Sequence, residues 1–174
     1  ASMGYLWTRD LRWDNLSRSA SDAGGELADE LRKLQDDLAA IPNAFISVSL
    51  SAASTDDDDV DGLREVNNRY GHAMGSRTLQ EAAARVMNAV RSIDKVVRYG
   101  GDEFVIVLPQ TDGESARILA EKLRRLVEGH TFLQEEGINA RLGVSLGVAT
   151  YPGEATTKEA LIRLADSRMY EDKG

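Results

Sequence analysis

The 174-residue chain has no cysteine, only three prolines, and few aromatic residues, which make up 6% of the sequence. The absence of cysteine excludes a disulfide framework and any thiolate metal site. No apolar run approaches the roughly 18 residues of a membrane-spanning helix, and no basic-then-apolar signal peptide stands at the start. We therefore expect a soluble, cytoplasmic piece that makes no membrane contact.

Positive charge is also scarce, because 21 Lys and Arg residues face 29 Asp and Glu residues and leave a net charge of -8. This balance disfavours nucleic acid polymers and anionic membranes as partners. With 42% hydrophobic residues, the chain has enough apolar surface for one core. We expect one domain over residues 14–174, preceded over residues 1–13 by the remnant of a linker helix or a tag.

Residues 98–104 read Arg-Tyr-Gly-Gly-Asp-Glu-Phe and lie between two short apolar segments that are typical of strands. The pattern predicts a β-hairpin. Its tip carries the carboxylates of Asp102 and Glu103, and the neighbouring Gly100 and Gly101 let a ligand approach the backbone closely. Taken alone, a Gly-Gly turn with solvated acids is also an ordinary surface feature.

Apolar residues recur at helical spacing in three segments and alternate with other residues in two. The helical segments are residues 27–38, 79–93 and 116–127, and the alternating ones are residues 46–50 and 142–148. Thr111 and Thr156 each begin a capping box and so predict the starts of two helices. The predicted order is α-β-α-α-β-β-α-β-α, an α+β fold in which helices cover a mostly antiparallel sheet. Residues 52–58 interrupt the pattern, and we expect a loop or bulge there.

Four blocks of the chain resemble the motifs of the GGDEF family, the diguanylate cyclases. Residues 59–72 are similar to D-x-D-x-[FL]-K-x-[IV]-N-[DN]-x-[YF]-G-H, and residues 98–104 to the signature that gives the family its name. Residues 144–149 resemble the V-S-[IL]-G-V-A strand, and residues 165–173 resemble the closing helix A-D-x-A-[LM]-Y-x-A-K. The resemblance covers about residues 44–174 and implies the palm-like fold of nucleotidyl cyclases and polymerases.

The implied activity is the condensation of two nucleoside triphosphates into a cyclic dinucleotide, with release of pyrophosphate, by a homodimer. The family's pattern implies two divalent cations per site, Mg²⁺ or Mn²⁺, held by Asp59, Asp102 and the Val60 carbonyl. Such hard cations prefer oxygen ligands. Glu103 is implied as the base or orienting group at the ribose 3′-hydroxyl. For Asp61 a structural hydrogen bond is the simpler expectation.

The resemblance also implies the groups that hold the substrate. Arg64 replaces the usual lysine at the β- and γ-phosphates, which keeps the charge but changes its geometry. Lys173 matches the lysine of the closing helix, which resembles a triphosphate clamp. The alternative for both Arg64 and Lys173 is an ordinary charged side chain on the surface. The implied substrate-binding set is Asn67, Ser76, Gly62, Leu63, Arg64, Gly100, Gly101 and Lys173.

The resemblance implies that Asn67 and Ser76 select the base, and Ser76 stands where the family has an aspartate. A carboxylate accepts from both donors on the guanine edge, whereas a hydroxyl does not reproduce that acceptor pair. The loss of the charge-assisted pair is worth on the order of 1.5–3 kcal/mol. Some relatives with serine here resemble hybrid enzymes that join ATP and GTP into cyclic AMP-GMP, so ATP is a second candidate substrate beside GTP. The alternative is that Ser76 is the N-cap of the next helix.

Regulation has its own candidate in Arg91 and Asp94. They match the R-x-x-D inhibitory site of the family, where bound cyclic dinucleotide product cross-links domains, and five residues separate Asp94 from Gly100. From the residues alone, the two are an i,i+3 ion pair.

A different function remains open, in which a degenerate domain of this family senses GTP or a cyclic dinucleotide. The presence of Asp59, Asp102 and Glu103 favours the enzyme.

Overall fold

The computed structural model describes residues 42–52 and 62–174. The predicted helix over residues 27–38 and the segment 1–13 lie outside them. Within the described ranges, no helix is both long and apolar enough to cross a membrane. The elements in chain order are β1 (Asn43–Ala52), α1 (Leu63–Tyr70), α2 (His72–Ala89), β2 (Lys95–Arg98), β3 (Glu103–Leu108), α3 (Gly113–Glu128), β4 (Leu142–Tyr151) and α4 (Lys158–Asp172). This order confirms the predicted α+β fold from β1 onward.

The four strands form one antiparallel sheet in the order β2-β3-β1-β4. The central strand β1 pairs with both β3 and β4, so that Ser49 lies opposite Glu103 on one side and Ser145 on the other. The backbone N–H of Leu50 donates to the carbonyl of Asp102 at 2.9 Å. The predicted hairpin of β2 and β3 is therefore present, and its tip is held against β1.

Helices cover both faces of the sheet. One face packs against α1, α2 and α3, and the other packs against α4. The first face buries Ile46, Val48, Leu50, Phe104, Ile106 and Leu108. The second face buries Phe45, Val105, Val107 and Ala149 against Leu161 and Ala165 of α4. Because each such large side chain contributes about 1.5–3 kcal/mol when buried, both faces hold the strands in register.

A glycine allows α4 to lie close to β4. A Cβ placed at Gly147 would overlap the carbonyl oxygen of Ala165 and crowd the backbone nitrogen of Met169. Only a residue without a side chain fits this contact. The position of α4, and with it the position of the residues at its end, is thus set at Gly147.

The start of α2 differs from the prediction, which placed it after Ser76. Gly71, at a φ of 85°, is both the C-cap of α1 and the N-cap of α2, so the helix already begins at His72. The regular apolar pattern begins at Leu79, whereas in the first turn of α2 only Met74 packs against the core and His72 and Gly75 line a pocket. Ser76 lies inside the helix, so the alternative that it is the N-cap is wrong. At the other end α2 stops at Ala89, and Ile93 is 46% exposed.

Two predicted N-caps are each displaced by one residue. The Asp112 side chain accepts from the backbone N–H three residues on at 2.7 Å, in place of Thr111. The Thr157 hydroxyl does the same at 3.2 Å, in place of Thr156. At both places two adjacent residues are good N-caps, and the sequence pattern does not distinguish them.

Candidate functional site

A pocket of about 370 Å³ lies between the hairpin tip and the junction of α1 with α2. It brings together predicted site residues from two distant parts of the chain, together with four residues that the sequence analysis did not single out. The predicted members are Leu63, Arg64, Asn67, Ser76, Gly101 and Asp102, and the others are His72, Gly75, Leu79 and Arg98. Gly62, Gly100, Glu103 and Lys173 lie outside its lining.

Arg98 braces the turn of the hairpin. Its guanidinium donates to the carbonyl of Gly100 at 3.0 Å and to that of Gly101 at 2.8 Å. Across the turn, the backbone N–H of Tyr99 donates to the carbonyl of Glu103 at 2.8 Å. Burial lowers the pKa of Arg98, and the nearby Asp102 carboxylate acts in the opposite direction. The arginine thus fixes the two glycine carbonyls and supplies a positive charge beside Asp102.

Asn67 is held against the backbone of α2 at Gly75. A Cβ at Gly75 would overlap the Asn67 side-chain oxygen and lie 2.7 Å from its Cγ. Only glycine leaves room for this amide. Ser76, the next residue of α2, is half-buried and lines the same pocket. The predicted base-reading pair therefore shares one wall.

Glu103 is the first residue of β3 and lies near the end of α4. Burial raises the pKa of Glu103, the positive charge of Lys173 lowers it, and the carboxylates of Asp102 and Asp166 raise it further, for a net increase. Asp166 is fixed by the hydroxyl of Ser47, which donates to it at 2.7 Å. A carboxylate whose pKa is raised in this way is a stronger base than an ordinary glutamate.

Of the predicted metal ligands, Asp102 lies within the described residues, whereas Asp59 and Val60 do not, and neither does Asp61. Among the residues that the structure describes, no three His, Asp or Glu side chains form a metal-binding cluster. The half-exposed carboxylate of Asp102, on a glycine turn, has the oxygen chemistry that a divalent cation such as Mg²⁺ prefers. Ser49, opposite Glu103, has a buried hydroxyl without a hydrogen-bond partner in the described part of the chain.

The residues on either side of the segment 53–61 are both held at the same end of the β1–β4 pair. Ala52 pairs with Leu142 of β4, and the N–H of Gly62 donates to the Arg141 carbonyl at 2.9 Å. Gly62 has a φ of 83° and precedes α1. The predicted phosphate-binding start of α1 is thus anchored beside the end of β1.

Arg91 and Asp94 form the predicted ion pair. The Arg91 guanidinium donates to both carboxylate oxygens of Asp94, at 3.2 and 2.8 Å. It also donates to the Pro109 carbonyl at 2.9 Å and to the Thr111 hydroxyl at 2.7 Å. The Asp94 side chain is 1% exposed, whereas that of Arg91 is 51% exposed. The pair ties the loop before β2 to the loop after β3 and leaves the arginine accessible to solvent.

The model of one protein family, described as "Diguanylate cyclase, GGDEF domain", matches residues 58–174. The chain is 38% identical over 116 residues to the response regulator PleD of Caulobacter vibrioides, covering 66% of this chain and 26% of PleD. It is 35% identical over 153 residues to the bifunctional diguanylate cyclase/cyclic di-GMP phosphodiesterase MucR of Pseudomonas aeruginosa, covering 80% of this chain and 22% of MucR. The chain therefore spans about a quarter of the length of these relatives.

Solved structures of similar domains share the fold. A structure of PA1120 (TpbB or YfiN) from Pseudomonas aeruginosa that comprises only the GGDEF domain has a TM-score of 0.72 and 28% identity, covering 92% of this chain and 86% of that one. A sensory box/GGDEF family protein from Caulobacter crescentus has a TM-score of 0.67 and 29% identity, covering 88% and 90%.

We predict that Glu103→Gln raises the free energy of unfolding at neutral pH in metal-free buffer. Since the folded protein raises the pKa of this carboxyl, its ionised form is less favourable in the folded state than in the unfolded chain. At low pH the carboxyl is protonated in both the folded and the unfolded state, so the cost is absent. Above the folded-state pKa the carboxyl is ionised in both states, and the folded state bears the full cost. The gain should therefore vanish at about pH 3. Urea denaturation at both pH values measures it, with the exposed Glu135→Gln as the control, and a variant less stable than the parent at neutral pH contradicts the prediction.

Proposed function

The chain belongs to the GGDEF domain family, and from this premise we propose that it condenses two GTP molecules into cyclic di-GMP with release of pyrophosphate. The observation that carries the proposal is the pocket in which the hairpin tip, with Asp102, faces Arg64 and Asn67 of α1. An acid at a glycine turn, a cation and a base-reading amide are the groups that a nucleoside triphosphate needs. Lys173, close enough to lower the pKa of Glu103, adds a second cation nearby.

Each group has one part in this reaction. Asn67 and Ser76 bind the base, and Arg64, Lys173 and the backbone at Gly62 and Leu63 bind the β- and γ-phosphates. Gly100 and Gly101 let the substrate approach the turn. Glu103 orients the 3′-hydroxyl or takes its proton, and the oxygen then attacks the α-phosphorus while the bond to pyrophosphate breaks. Mg²⁺ or Mn²⁺, two per site, would be held by Asp102, Asp59 and the Val60 carbonyl and would neutralise phosphate charge when bound.

A homodimer follows from the geometry of the reaction. One pocket presents one triphosphate, and attack of a 3′-hydroxyl on its own α-phosphorus would give a cyclic mononucleotide, so a cyclic dinucleotide needs a second bound substrate. Two copies that face each other allow each 3′-hydroxyl to attack the α-phosphate of the other substrate. Two equivalent bonds then close the product ring.

We expect the protein to convert GTP and Mg²⁺ to cyclic di-GMP and pyrophosphate, as detected by mass spectrometry. Asp102→Asn and Glu103→Gln should each lower the rate by about 100-fold or more, because each removes a charge at the reacting groups. Glu135→Gln, an exposed acid far along the chain from the pocket, should match the parent. Binding of GTP or cyclic di-GMP without any release of pyrophosphate would reject the cyclase and favour the sensor.

We further propose that the pocket accepts adenine and that the enzyme makes cyclic AMP-GMP beside cyclic di-GMP. Ser76 lines the pocket from inside α2, which supports a role at the base. A hydroxyl both donates and accepts, so it lacks the acceptor pair that favours guanine and does not repel the adenine edge. With identical pockets, a mixed product requires each pocket to accept either base, so excess ATP should also yield some cyclic di-AMP.

Ser76→Asp should restore the acceptor pair and narrow the products to cyclic di-GMP. Product ratios from equal GTP and ATP, measured by mass spectrometry, test this, with Gln134→Asp as a control that adds the same charge on an exposed turn. A parent that makes cyclic di-GMP alone would remove Ser76 as the selector, as would a mixed spectrum that the substitution leaves unchanged.

We also propose that cyclic dinucleotide product inhibits the enzyme at Arg91 and Asp94. The half-exposed guanidinium, in a cavity of about 290 Å³ with Asp94, supports this role, because Arg binds phosphate in a bidentate manner. A ligand there competes with the contacts that the arginine makes to the loop after β3.

Arg91→Ala should weaken inhibition by cyclic di-GMP about tenfold, the effect of one lost charge-assisted contact. The inhibition constant is compared with that of Arg85→Ala, which removes a charge from α2 without touching the ion pair. Because each constant is referred to the variant's own uninhibited rate, a loss of stability alone leaves it unchanged. Equal inhibition of parent and Arg91→Ala would remove the site from this account.

A further inference from the structure

The closing helix α4 departs from the family motif at two places. Where A-D-x-A-[LM]-Y-x-A-K has its second and third alanines, this chain has Arg168 and Asp172. Lys173, the residue to which the proposed function assigns the triphosphate, follows immediately as the C-cap of α4. Two small apolar residues are thus replaced by two charged ones of opposite sign, one turn apart.

Both charged residues bond to the outer edge of β4, the last strand of the sheet order. Arg168 donates to the Val148 carbonyl at 2.6 Å, and Asp172 accepts from the Leu146 N–H at 2.9 Å. The outward backbone groups of such an edge are otherwise open to water or to another strand. Two side chains of α4 thus satisfy backbone groups of β4 that a neighbouring strand would otherwise bond.

Asp172 has a second anchor on α3. Arg124 donates to its carboxylate at 2.8 Å and to the Val144 carbonyl at 2.9 Å. The side chains of Arg124 and Asp172 are 25% and 31% exposed, so the pair is partly shielded from water. Charge-assisted bonds of this kind are stronger than bonds between neutral groups. The last residue of α4 is therefore fixed to β4 and to α3 at once.

A helix end without such bonds to its neighbours is mobile. The final carbonyls of a helix lack partners within it and the last turn frays. Here Lys173 and Gly174 still donate to the Met169 and Glu171 carbonyls, at 3.2 and 3.1 Å. An anchor at Asp172 holds this last turn in place beside Glu103.

We propose that Asp172, held by Arg124 and the Leu146 amide, is a positioning residue that keeps Lys173 at the triphosphate. The inference rests on the proposed function, since it gives Lys173 its role. Asp172 itself touches no substrate. Its removal acts through the ordering of the lysine, and so on the binding of the triphosphate more than on the chemical step.

The test compares Asp172→Ala with Arg168→Ala in the full chain. Both variants lose a charged bond to the edge of β4, but Arg168 lies one turn away from the lysine and bonds to Glu154. Asp172→Ala should raise the KM for GTP about three- to tenfold with kcat within about twofold, and Arg168→Ala should leave KM unchanged. In a Lys173→Ala background, Asp172→Ala should add no further increase, because coupled residues are not additive.

Two further measurements do not depend on turnover. Hydrogen exchange of the Lys173 and Gly174 amides should become faster in Asp172→Ala and not in Arg168→Ala. Calorimetry with a GTP analogue whose α,β-bridge is a methylene group should show the same three- to tenfold loss of affinity. Unchanged hydrogen exchange in Asp172→Ala overturns the inference. An equal rise of KM or of the dissociation constant in both variants also overturns it, because it would mean that both residues only stabilise the edge of β4. If the parent makes no product, the proposed function fails, and exchange and calorimetry still decide on Asp172.

Discussion

The antiparallel pairing of β1 with β3 is the constraint on which the site depends. Ser49 lies opposite Glu103, and the Leu50 amide bonds to the Asp102 carbonyl, so the acidic tip is fixed against the central strand. A slip of one residue would exchange the faces of every side chain on β3. Both faces are buried, one under α1, α2 and α3 and the other under α4, so such a slip would move the charged side chain of Glu103 to the face that packs against α1, α2 and α3.

Around this fixed tip, residues without side chains decide how closely the other parts approach. Gly75 makes room for the Asn67 amide, and Gly147 lets α4 lie on β4. Arg98 then holds the carbonyls of the turn itself. The acids gathered at this place raise the pKa of Glu103 against the opposing charge of Lys173. The raised pKa of this carboxyl is thus a product of the fold, and it lowers the stability of the folded state at neutral pH.

The sequence predicted the hairpin, the alternation of β1 and β4 and the order of the described elements, because apolar periodicity reports on burial directly. It did not predict the first turn of α2, whose residues face the pocket and carry no apolar pattern. Nor did it identify Arg98 or Gly75. Arg98 bonds to the backbone carbonyls of Gly100 and Gly101, which carry no side-chain signal, and the Asn67 side chain approaches Gly75 only in the folded chain. A glycine four residues after Gly71, in a helix that needs no glycine there, was the available signal for a close approach. The predicted metal ligands Asp59, Val60 and Asp102 all stay a prediction.

The central claim is that the hairpin tip, the junction of α1 with α2 and the end of α4 bind one nucleoside triphosphate. The most direct measurement is the backbone amide spectrum of the chain, titrated with the methylene-bridged GTP analogue and Mg²⁺. The account predicts that amides of residues 62–67, 75–76, 100–103 and 173 shift together with one dissociation constant, while those of α3 do not. Shifts confined to another surface, or a hairpin tip that does not respond to the nucleotide, would contradict it.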